Sequence, residues 1–330
     1  SDMYDDSDAD DESEQMLYYG GRPKAGAIPN RSYASRELYL GAGGTGKTNL
    51  NLKDEGLQRV LYVAPSNKLC AAKRVEFNGM CVNNLYLVQG QGDKSIVDRI
   101  NKRYSTLLID EASMINDEEK WKLFRMYPEL RLIFCGDIGY QLPPIKGLQM
   151  TNAGFGLIQE LTYNYRFAGC TKQQYNATAI RAMMKDKKPV DSVRQFVMDE
   201  YQHISVEDMI GIYQKQDMIL CSEHRICDWY TDRIEAAGGG DRMKYLCKIS
   251  TQNQNNGEVK YEDGVGRYYR QGYTIHSVQG ETYDEKIFID LRKMKCKRHI
   301  YTAISRARLA NQIYIIDNTS DVPQQRTRKH

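Results

Sequence analysis

Residues 41–48 have the composition and spacing of a loop that binds phosphate groups. They follow the apolar run 38–40 directly and match the pattern G-x-x-x-x-G-K-[ST] after a strand. Glycines let backbone N–H groups surround an anion, Lys47 can reach the β- and γ-phosphates, and the Thr48 hydroxyl is a hard oxygen ligand for Mg²⁺. A glycine-rich structural turn is the alternative. The pattern predicts that ATP or another nucleoside triphosphate binds with Mg²⁺ at Gly41, Gly43, Gly44, Thr45, Gly46, Lys47 and Thr48.

Two adjacent carboxylates, Asp110 and Glu111, follow the apolar segment 107–109. Because strands of a parallel sheet end at one edge, we expect both side chains beside the phosphate loop. Asp110 is predicted to hold Mg²⁺, directly or through water. Glu111 is predicted to be the general base, since water needs a positioned proton acceptor at neutral pH. An acid that caps a helix is the alternative, and the complete phosphate loop upstream favours the catalytic interpretation.

The composition is that of a chain with real apolar cores and no membrane span. Its 330 residues are enough for two domains, and 41% of them are hydrophobic. No apolar stretch approaches the roughly 20 residues that cross a bilayer. The eight cysteines are scattered without a C-x-x-C pair. Their pattern argues against a zinc site and a disulfide framework, and it indicates a reducing, intracellular compartment, either cytoplasmic or nuclear.

Charge is distributed unevenly along the chain. The formal net charge is +3, but residues 1–14 carry eight acids and neither Lys nor Arg. The rest of the chain is therefore basic, which favours a polyanion as partner. We predict an acidic disordered tail over 1–17 and a short basic tail over 321–330.

Short apolar segments that have the character of buried strands alternate with polar stretches compatible with helices. This alternation predicts an α/β fold with parallel sheets and helical crossovers. A stretch with three glycines and little periodicity, 147–156, separates the strands into two groups. We therefore predict a first domain over 18–150 and a second over 151–320, with a small insertion near 238–270. The predicted strands are 38–40, 60–64, 107–109, 132–135, 218–221, 286–289 and 313–316.

Seven segments, in order along the chain, resemble the motifs of the superfamily 1 helicases. The segments for motifs III, V and VI are most similar to the RecD-like, 5′-to-3′ branch, and the short chain resembles compact helicase domains from viruses. The resemblance implies two tandem RecA-like domains with small or reduced accessory insertions. The segments are 41–48 (motif I), 63–68 (Ia), 110–113 (II), 135–144 (III), 161–166 (IV), 273–282 (V) and 301–308 (VI).

The same resemblance assigns five more residues to the nucleotide. It implies that Gln141 contacts the γ-phosphate and the attacking water. Arg166 and Arg306 would be arginine fingers of the second domain, each worth about 10³–10⁵ in rate, in a cleft that closes on ATP. Tyr165 would stack on the base and Glu281 would bind the ribose. A surface ion pair is the alternative for each arginine, and a solvated loop acid is the alternative for Glu281.

Residues that resemble the family's nucleic-acid contacts fall in motifs Ia and V. Small hydroxyl side chains and backbone N–H groups suit contacts to phosphates, which do not depend on sequence. We therefore expect salt-sensitive binding of single strands. For His276, a buried histidine that links motif V to the nucleotide site is an equal alternative. The predicted contacts are Pro65, Ser66, Asn67 and Lys68 in the first domain and Thr274, His276 and Ser277 in the second.

These observations together predict an ATP hydrolase that steps 5′ to 3′ along single-stranded DNA or RNA. The resemblance implies a monomeric motor that works with replication proteins and not at a membrane. The segment 19–39 has no glutamine to select adenine, so other nucleoside triphosphates are open as substrates. The stretches 75–104 and 234–271 are short for strand-separating insertions. An NTPase that does not separate strands is therefore the alternative, and a non-catalytic binding module is a second one.

Overall fold

The computed structural model describes residues 35–47, 59–66, 69–70, 73–74, 81–90, 95–162, 164–165, 169–238, 245–246, 259–260 and 271–316. The chain divides into two compact units, Ser1–Arg166 and Phe167–His330. The predicted boundary between 150 and 151 lies N-terminal to this division, because the segment Leu157–Glu160 pairs with the first strand of the first unit. Both predicted tails, and most of the predicted insertion 238–270, lie outside the described residues.

The first unit is built on a parallel sheet of six strands in the order β3-β2-β4-β5-β1-β6. The central strands β2, β4 and β5 are almost entirely buried, as expected for parallel strands covered on both faces. The strands are β1 (Arg36–Leu40), β2 (Val60–Ala64), β3 (Cys81–Asn84), β4 (Thr106–Ile109), β5 (Arg131–Gly136) and β6 (Leu157–Glu160).

Helices α1 (Leu85–Val88), α2 (Ser95–Arg103) and α3 (Asp117–Met126) belong to the first unit. Helix α3 begins at a capping box. The Asn116 side chain accepts from the Glu119 N–H at 2.8 Å, and the Glu119 carboxylate accepts from the Asn116 N–H at 3.0 Å. Apolar side chains of α3 join a core against one face of the sheet. The capping box fixes the start of α3 and, with it, the turn that precedes the helix.

The second unit contains a parallel sheet of five strands in the order β11-β8-β12-β13-β7. Two short strands inside the predicted insertion, β9 and β10, pair antiparallel. The strands are β7 (Gln202–Ile204), β8 (Met218–Cys221), β9 (Tyr245–Leu246), β10 (Val259–Lys260), β11 (Gly272–Thr274), β12 (Ile287–Ile289) and β13 (Ile313–Ile316). The helices are α4 (Thr171–Lys185), α5 (Val190–Glu200), α6 (Val206–Ile212), α7 (His224–Ala236) and α8 (Lys297–Ile304).

The predicted fold class is confirmed: two parallel sheets flanked by helices. The predicted strands 60–64, 218–221 and 313–316 coincide with β2, β8 and β13. The other four predicted strands differ from the observed ones by one or two residues at their ends. No helix in the described part of the chain is long and apolar enough to span a membrane.

Candidate nucleotide-binding site

Three neighbouring strands of the first sheet, β4, β5 and β1, end at the same edge and carry the predicted catalytic segments. Strand β4 runs into Asp110 and Glu111, β5 into Asp137, and β1 into the phosphate loop. Their parallel pairing is therefore what brings residues from distant parts of the sequence to one edge. This is the edge at which ligands bind in open α/β sheets.

The phosphate loop curls around the ammonium group of Lys47. The Lys47 Nζ donates to the carbonyl oxygens of Gly41 at 2.7 Å and Ala42 at 2.8 Å, and it lies 3.3 Å from Thr45 Oγ1. Thr45 Oγ1 in turn donates to the Ala42 carbonyl at 2.9 Å. The ammonium is thus held inside the loop, where a phosphate would be bound. Thr48, the predicted hydroxyl ligand of Mg²⁺, lies outside the described residues.

The first residue of the loop must be a glycine because another segment approaches it closely. A Cβ at Gly41 would lie 2.5 Å from the Leu161 carbonyl oxygen and 2.8 Å from Thr45 Oγ1, and its φ is +152°. Any side chain at this position would push Leu161 away from the loop. The pattern's first glycine is therefore fixed by packing as well as by backbone conformation.

Three carboxylates act electrostatically on the Lys47 ammonium. Burial lowers the pKa of Lys47, while the negative charges of Asp137, Asp110 and Glu111 act in the opposite direction. Asp137 is buried, and sequence reasoning did not select it; its position directly after β5 was the available signal. Three carboxylates that act on one ammonium leave an excess of negative charge, which suits a bound cation.

Asp110 is held by hydrogen bonds at both of its carboxylate oxygens. The Tyr62 hydroxyl donates to Oδ2 at 2.5 Å, and the backbone N–H of Glu111 donates to Oδ1 at 2.9 Å. Burial, and then the neighbouring Asp110 carboxylate, raise the pKa of Tyr62 well above its usual value. Tyr62 is a second residue of the site that sequence reasoning missed, because a tyrosine inside an apolar strand has the pattern of a core residue.

Glu111 has a left-handed backbone, with φ of 51° and ψ of 46°. A non-glycine residue adopts this conformation only when its surroundings impose it. The turn that follows, Ala112–Met114, packs closely on the end of β5, where a Cβ at Gly136 would lie 2.9 Å from the Ala112 nitrogen. Gly136 thus permits the tight turn that sets the position of the predicted general base.

Gln141 lies in a turn that begins at Asp137. The backbone N–H groups of Tyr140 and Gln141 both donate to the Asp137 carbonyl oxygen, at 3.2 and 3.0 Å. Gln141 is buried, with 2% of its surface exposed. The turn places Gln141 and the Asp137 carboxylate in one short segment after β5.

Residues of the segment 161–166, which resembles motif IV, form hydrogen bonds to the phosphate loop within the first unit. Two hydrogen bonds of 2.8 Å reach the loop, from Asn164 Nδ2 to the Gly43 carbonyl and from the Tyr165 N–H to the Gly44 carbonyl. A third of 2.8 Å joins the Leu161 N–H to the carbonyl of Leu40, the last residue of β1. Asn164 was not selected from the sequence, although it directly precedes the predicted Tyr-Arg pair. The structure therefore adds Asn164 to the residues that shape the loop.

Tyr165 presents an exposed ring beside the same loop. Its side chain is 66% exposed, and a Cβ at Gly46 would lie 3.4 Å from ring carbons Cδ2 and Cε2. A ring in this place is able to stack on a flat group whose phosphates occupy the loop. Arg166, the next residue and a predicted arginine finger, lies outside the described residues.

Arg306 and Glu281, the predicted nucleotide contacts of the second unit, lie next to each other. Arg306 is buried, and its guanidinium donates at 2.9 Å to the carbonyl oxygens of Thr302 and Glu281 and to Ser305 Oγ. The Glu281 carboxylate accepts from the Tyr283 hydroxyl. In this structure Arg306 joins the motif V turn to helix α8.

The predicted nucleic-acid residues of the first unit lie at the start of a helical turn. Pro65 and Ser66 are half-buried, and Ser66 Oγ accepts from the Leu69 N–H at 3.3 Å. Ser66 therefore also caps this turn. Asn67 and Lys68 lie outside the described residues.

The predicted nucleic-acid residues of the second unit differ in exposure. Thr274 is buried, and its carbonyl accepts from the Ser277 hydroxyl at 2.8 Å. His276 is exposed, and its ring lies edge-on to that of His299, with the centroids 5.3 Å apart. His276 and Ser277 are thus the members of this group that reach the surface.

The donor chemistry of the first unit fits Mg²⁺ bound together with a nucleotide. In the part of the chain that is described, no group of three or more His, Cys, Asp and Glu is arranged to hold a metal ion by itself. Protein sites for Mg²⁺ and a nucleotide commonly supply one or two carboxylates, and phosphates and water complete the coordination. Asp110 meets that requirement, and the Glu111 and Asp137 carboxylates act with it on the charge of Lys47.

Several solved structures with a similar fold are Pif1 helicases. No protein-family model matches the chain, and no curated protein does so either. The Pif1 helicase from Candida albicans has a TM-score of 0.61 at 14% identity, over 95% of this chain and 94% of that one. The Bacteroides Pif1 helicase in complex with ADP-AlF3 and ssDNA gives 0.60 at 15%, over 87% and 89%. Bacteroides Pif1 bound to ssDNA gives 0.61 at 14%, over 98% and 95%.

These likenesses establish the architecture of the chain. Its two units, each a parallel sheet flanked by helices, match the RecA-like domains of the Pif1 helicases. A shared fold does not by itself carry an activity, which must be argued from the residues of the site.

Proposed function

We propose that this protein is an ATP-dependent translocase and helicase of superfamily 1 that steps 5′ to 3′ along single-stranded nucleic acid. The observation that carries the proposal is the Lys47 ammonium held inside its loop, on which the Asp110, Glu111 and Asp137 carboxylates act electrostatically. The solved structures of like fold support it further, since one of them contains both ADP-AlF3 and ssDNA.

Nucleotide binding would exchange the partners of Lys47. Its ammonium group would release the Gly41 and Ala42 carbonyls and bind the β- and γ-phosphates, while N–H groups of the loop hold the same oxygens. Asp110 and Thr48 would be the protein ligands of Mg²⁺, which neutralises phosphate charge when bound. Tyr165 would stack on the base, and Glu281 would bind the ribose.

Hydrolysis would depend on proton transfer and on added positive charge. Glu111 would accept the proton of the attacking water, which Gln141 orients. Arg166 and Arg306 would stabilise the charge that develops on the γ-phosphate. For Arg306, which is buried in this structure, this role requires its guanidinium to become accessible to the γ-phosphate during turnover.

Single-strand binding would use contacts to phosphates from both units. Pro65, Ser66, Asn67 and Lys68 would contribute from the first unit, and Thr274, His276 and Ser277 from the second. Contacts of this kind carry little sequence information and weaken as salt displaces them. We therefore propose DNA or RNA of any sequence as the track.

The test measures ATP hydrolysis and strand displacement on duplexes with a 5′ or a 3′ overhang, in DNA and in RNA. We expect hydrolysis that single strands stimulate, and displacement that requires the 5′ overhang. Lys47→Ala should abolish both activities, whereas Lys172→Ala, which changes an exposed lysine of the second unit, should leave both unchanged. Stimulated hydrolysis without displacement would select the NTPase alternative, and a wild-type protein without hydrolysis would refute the proposal.

A further inference from the structure

Strand β2 holds Asp110 at two points. The Asp110 N–H donates to the Val63 carbonyl at 2.9 Å, and the Tyr62 hydroxyl donates to Asp110 Oδ2 at 2.5 Å. The second carboxylate oxygen, Oδ1, accepts from the Glu111 N–H at 2.9 Å. Because both oxygens have a fixed donor, the plane of the carboxylate is set as well as its position.

The register of the sheet explains why Tyr62 can reach this carboxylate. Tyr62 on β2 is paired with Leu108 on β4, and Asp110 lies two residues further on, beyond the end of β4. Side chains two residues apart on a strand share a face. The long tyrosine side chain spans that distance towards the edge, so that its hydroxyl meets the first polar group after the strand.

Packing alone does not require an oxygen at this position. Tyr62 is 1% exposed and belongs to an apolar layer with Ala64, Leu69 and Leu108. A phenylalanine would fill the same volume without burying a hydroxyl. A buried hydroxyl needs a hydrogen bond to offset its loss of hydration, and here it is directed at the predicted metal ligand.

We propose that Tyr62 is a positioning residue for the Mg²⁺–nucleotide complex, acting through Asp110. The inference rests on the proposed function, in which Asp110 is a ligand of Mg²⁺. An ionised carboxylate has about four lone-pair sites, so the two hydrogen bonds are compatible with metal ligation. Partners that orient a ligand in this way are typically worth about 10–100-fold in metal affinity or activity.

The chain offers a matched control in Tyr39. The Tyr39 hydroxyl also donates to a carboxylate, that of Glu37, at 3.2 Å, and Tyr39 lies in the same apolar layer as Tyr62. Glu37 is the second residue of β1 and lies near the end of that strand opposite to the phosphate loop. Tyr39→Phe therefore removes a buried hydrogen bond of the same chemical type without touching Asp110.

The experiment measures metal binding directly, with Mn²⁺ as the probe. Mn²⁺ is titrated into the protein with ADP and followed by electron paramagnetic resonance, and the Mg²⁺ dependence of ATP hydrolysis is measured in parallel. For Tyr62→Phe we expect about 10-fold weaker Mn²⁺ binding and a similar increase in the Mg²⁺ needed for half-maximal hydrolysis. For Tyr39→Phe we expect both values to stay at those of the wild type.

A double-mutant cycle separates positioning from a general loss of stability. If Tyr62 acts through Asp110, then Tyr62→Phe should have no further effect on Mn²⁺ binding in an Asp110→Asn background. The positioning role alone would be overturned if Tyr62→Phe bound Mn²⁺ like the wild type. It would also be overturned if Tyr62→Phe weakened Mn²⁺ binding equally in the wild-type and the Asp110→Asn background. A wild-type protein that binds no Mn²⁺ in the presence of ADP would overturn the proposed function as well.

Discussion

At the scale of single residues, Glu111 shows how the backbone determines where the candidate general base lies. Its left-handed conformation costs an L-residue roughly 1–2 kcal/mol. The cost is tolerated because Gly136 allows the following turn to pack tightly on β5. The sequence predicts Glu111 as the general base but not its conformation, since nothing in Asp-Glu-Ala-Ser requires a positive φ.

Glu111→Gln should bind nucleotide like the wild type and lose turnover by about 10²–10⁴, because an amide cannot accept the proton of water. Nucleotide affinity is measured with a fluorescent ADP analogue and turnover by phosphate release. An equal loss of affinity and turnover would indicate that Glu111 has a structural role.

Two further substitutions at Glu111 separate the backbone from the chemistry. Glu111→Ala and Glu111→Gly both remove the carboxylate and should be equally inactive. The glycine variant should nevertheless be more stable than the alanine variant by on the order of 1 kcal/mol, because glycine adopts positive φ without strain. Urea unfolding of both proteins measures this difference, and an alanine variant of equal stability would contradict the strain at φ of 51°.

At the scale of elements, Leu161, Asn164 and Tyr165 hold the phosphate loop and the end of β1 in place. Their three hydrogen bonds reach Leu40, Gly43 and Gly44. The glycine-containing stretch 147–156 predicts a domain boundary between 150 and 151, which assigns the segment 161–166 to the second domain. The contacts place it with the first unit, since β6 extends the first sheet directly before it.

Asn164→Ala should weaken nucleotide binding about 3- to 10-fold, the effect of one hydrogen bond of roughly 0.5–1.5 kcal/mol that shapes the loop. Asn101→Ala is the control, because the Asn101 amide donates at 3.1 and 3.2 Å to the carbonyls of Val97 and Met126, away from the loop. Calorimetric titration with ADP compares the two variants. A similar loss in both would show that the effect reflects lower overall stability.

The strands that the sequence predicted are the inner ones of each sheet, and those it did not predict are the edges. In the first sheet β2, β4, β5 and β1 were predicted, whereas β3 and β6 were not. Strand β6 has the sequence Leu-Ile-Gln-Glu and is exposed along its whole length. An edge strand has a neighbour on one side and can bury less surface, so it lacks the continuous apolar run by which an inner strand is recognised.

At the scale of the whole molecule, hydrolysis is proposed to need residues from both units. Arg306 belongs to the second unit and is at present a buried link between the Glu281 carbonyl and helix α8. Its role in turnover stays a prediction from motif VI. The structure adds that Arg306 has a stabilising role too, which the sequence pattern did not indicate and which any mutation will also disturb.

Arg306→Ala should lower turnover by about 10³ or more while changing nucleotide affinity little, because a finger acts on the transition state. Gln173→Ala is the matched control for stability. Gln173 is buried, and its amide donates at 2.9 Å to the Ile304 carbonyl at the end of the same helix. Turnover and thermal stability are measured for both variants. If the two variants lose equal thermal stability and equal turnover, the prediction that Arg306 is an arginine finger is wrong.

The order of the strands also bears on how such a protein can acquire new parts during evolution. Lys47, Asp110 and Asp137 follow β1, β4 and β5, and each of these strands has a neighbour on both sides. The outer strands β3 and β6 carry none of these three groups. A lineage can therefore attach an extra strand or a whole module at either border of this sheet while the reacting groups keep their spacing. The order of the strands therefore allows the two edges of the sheet to vary while the inner strands that precede the reacting groups stay the same.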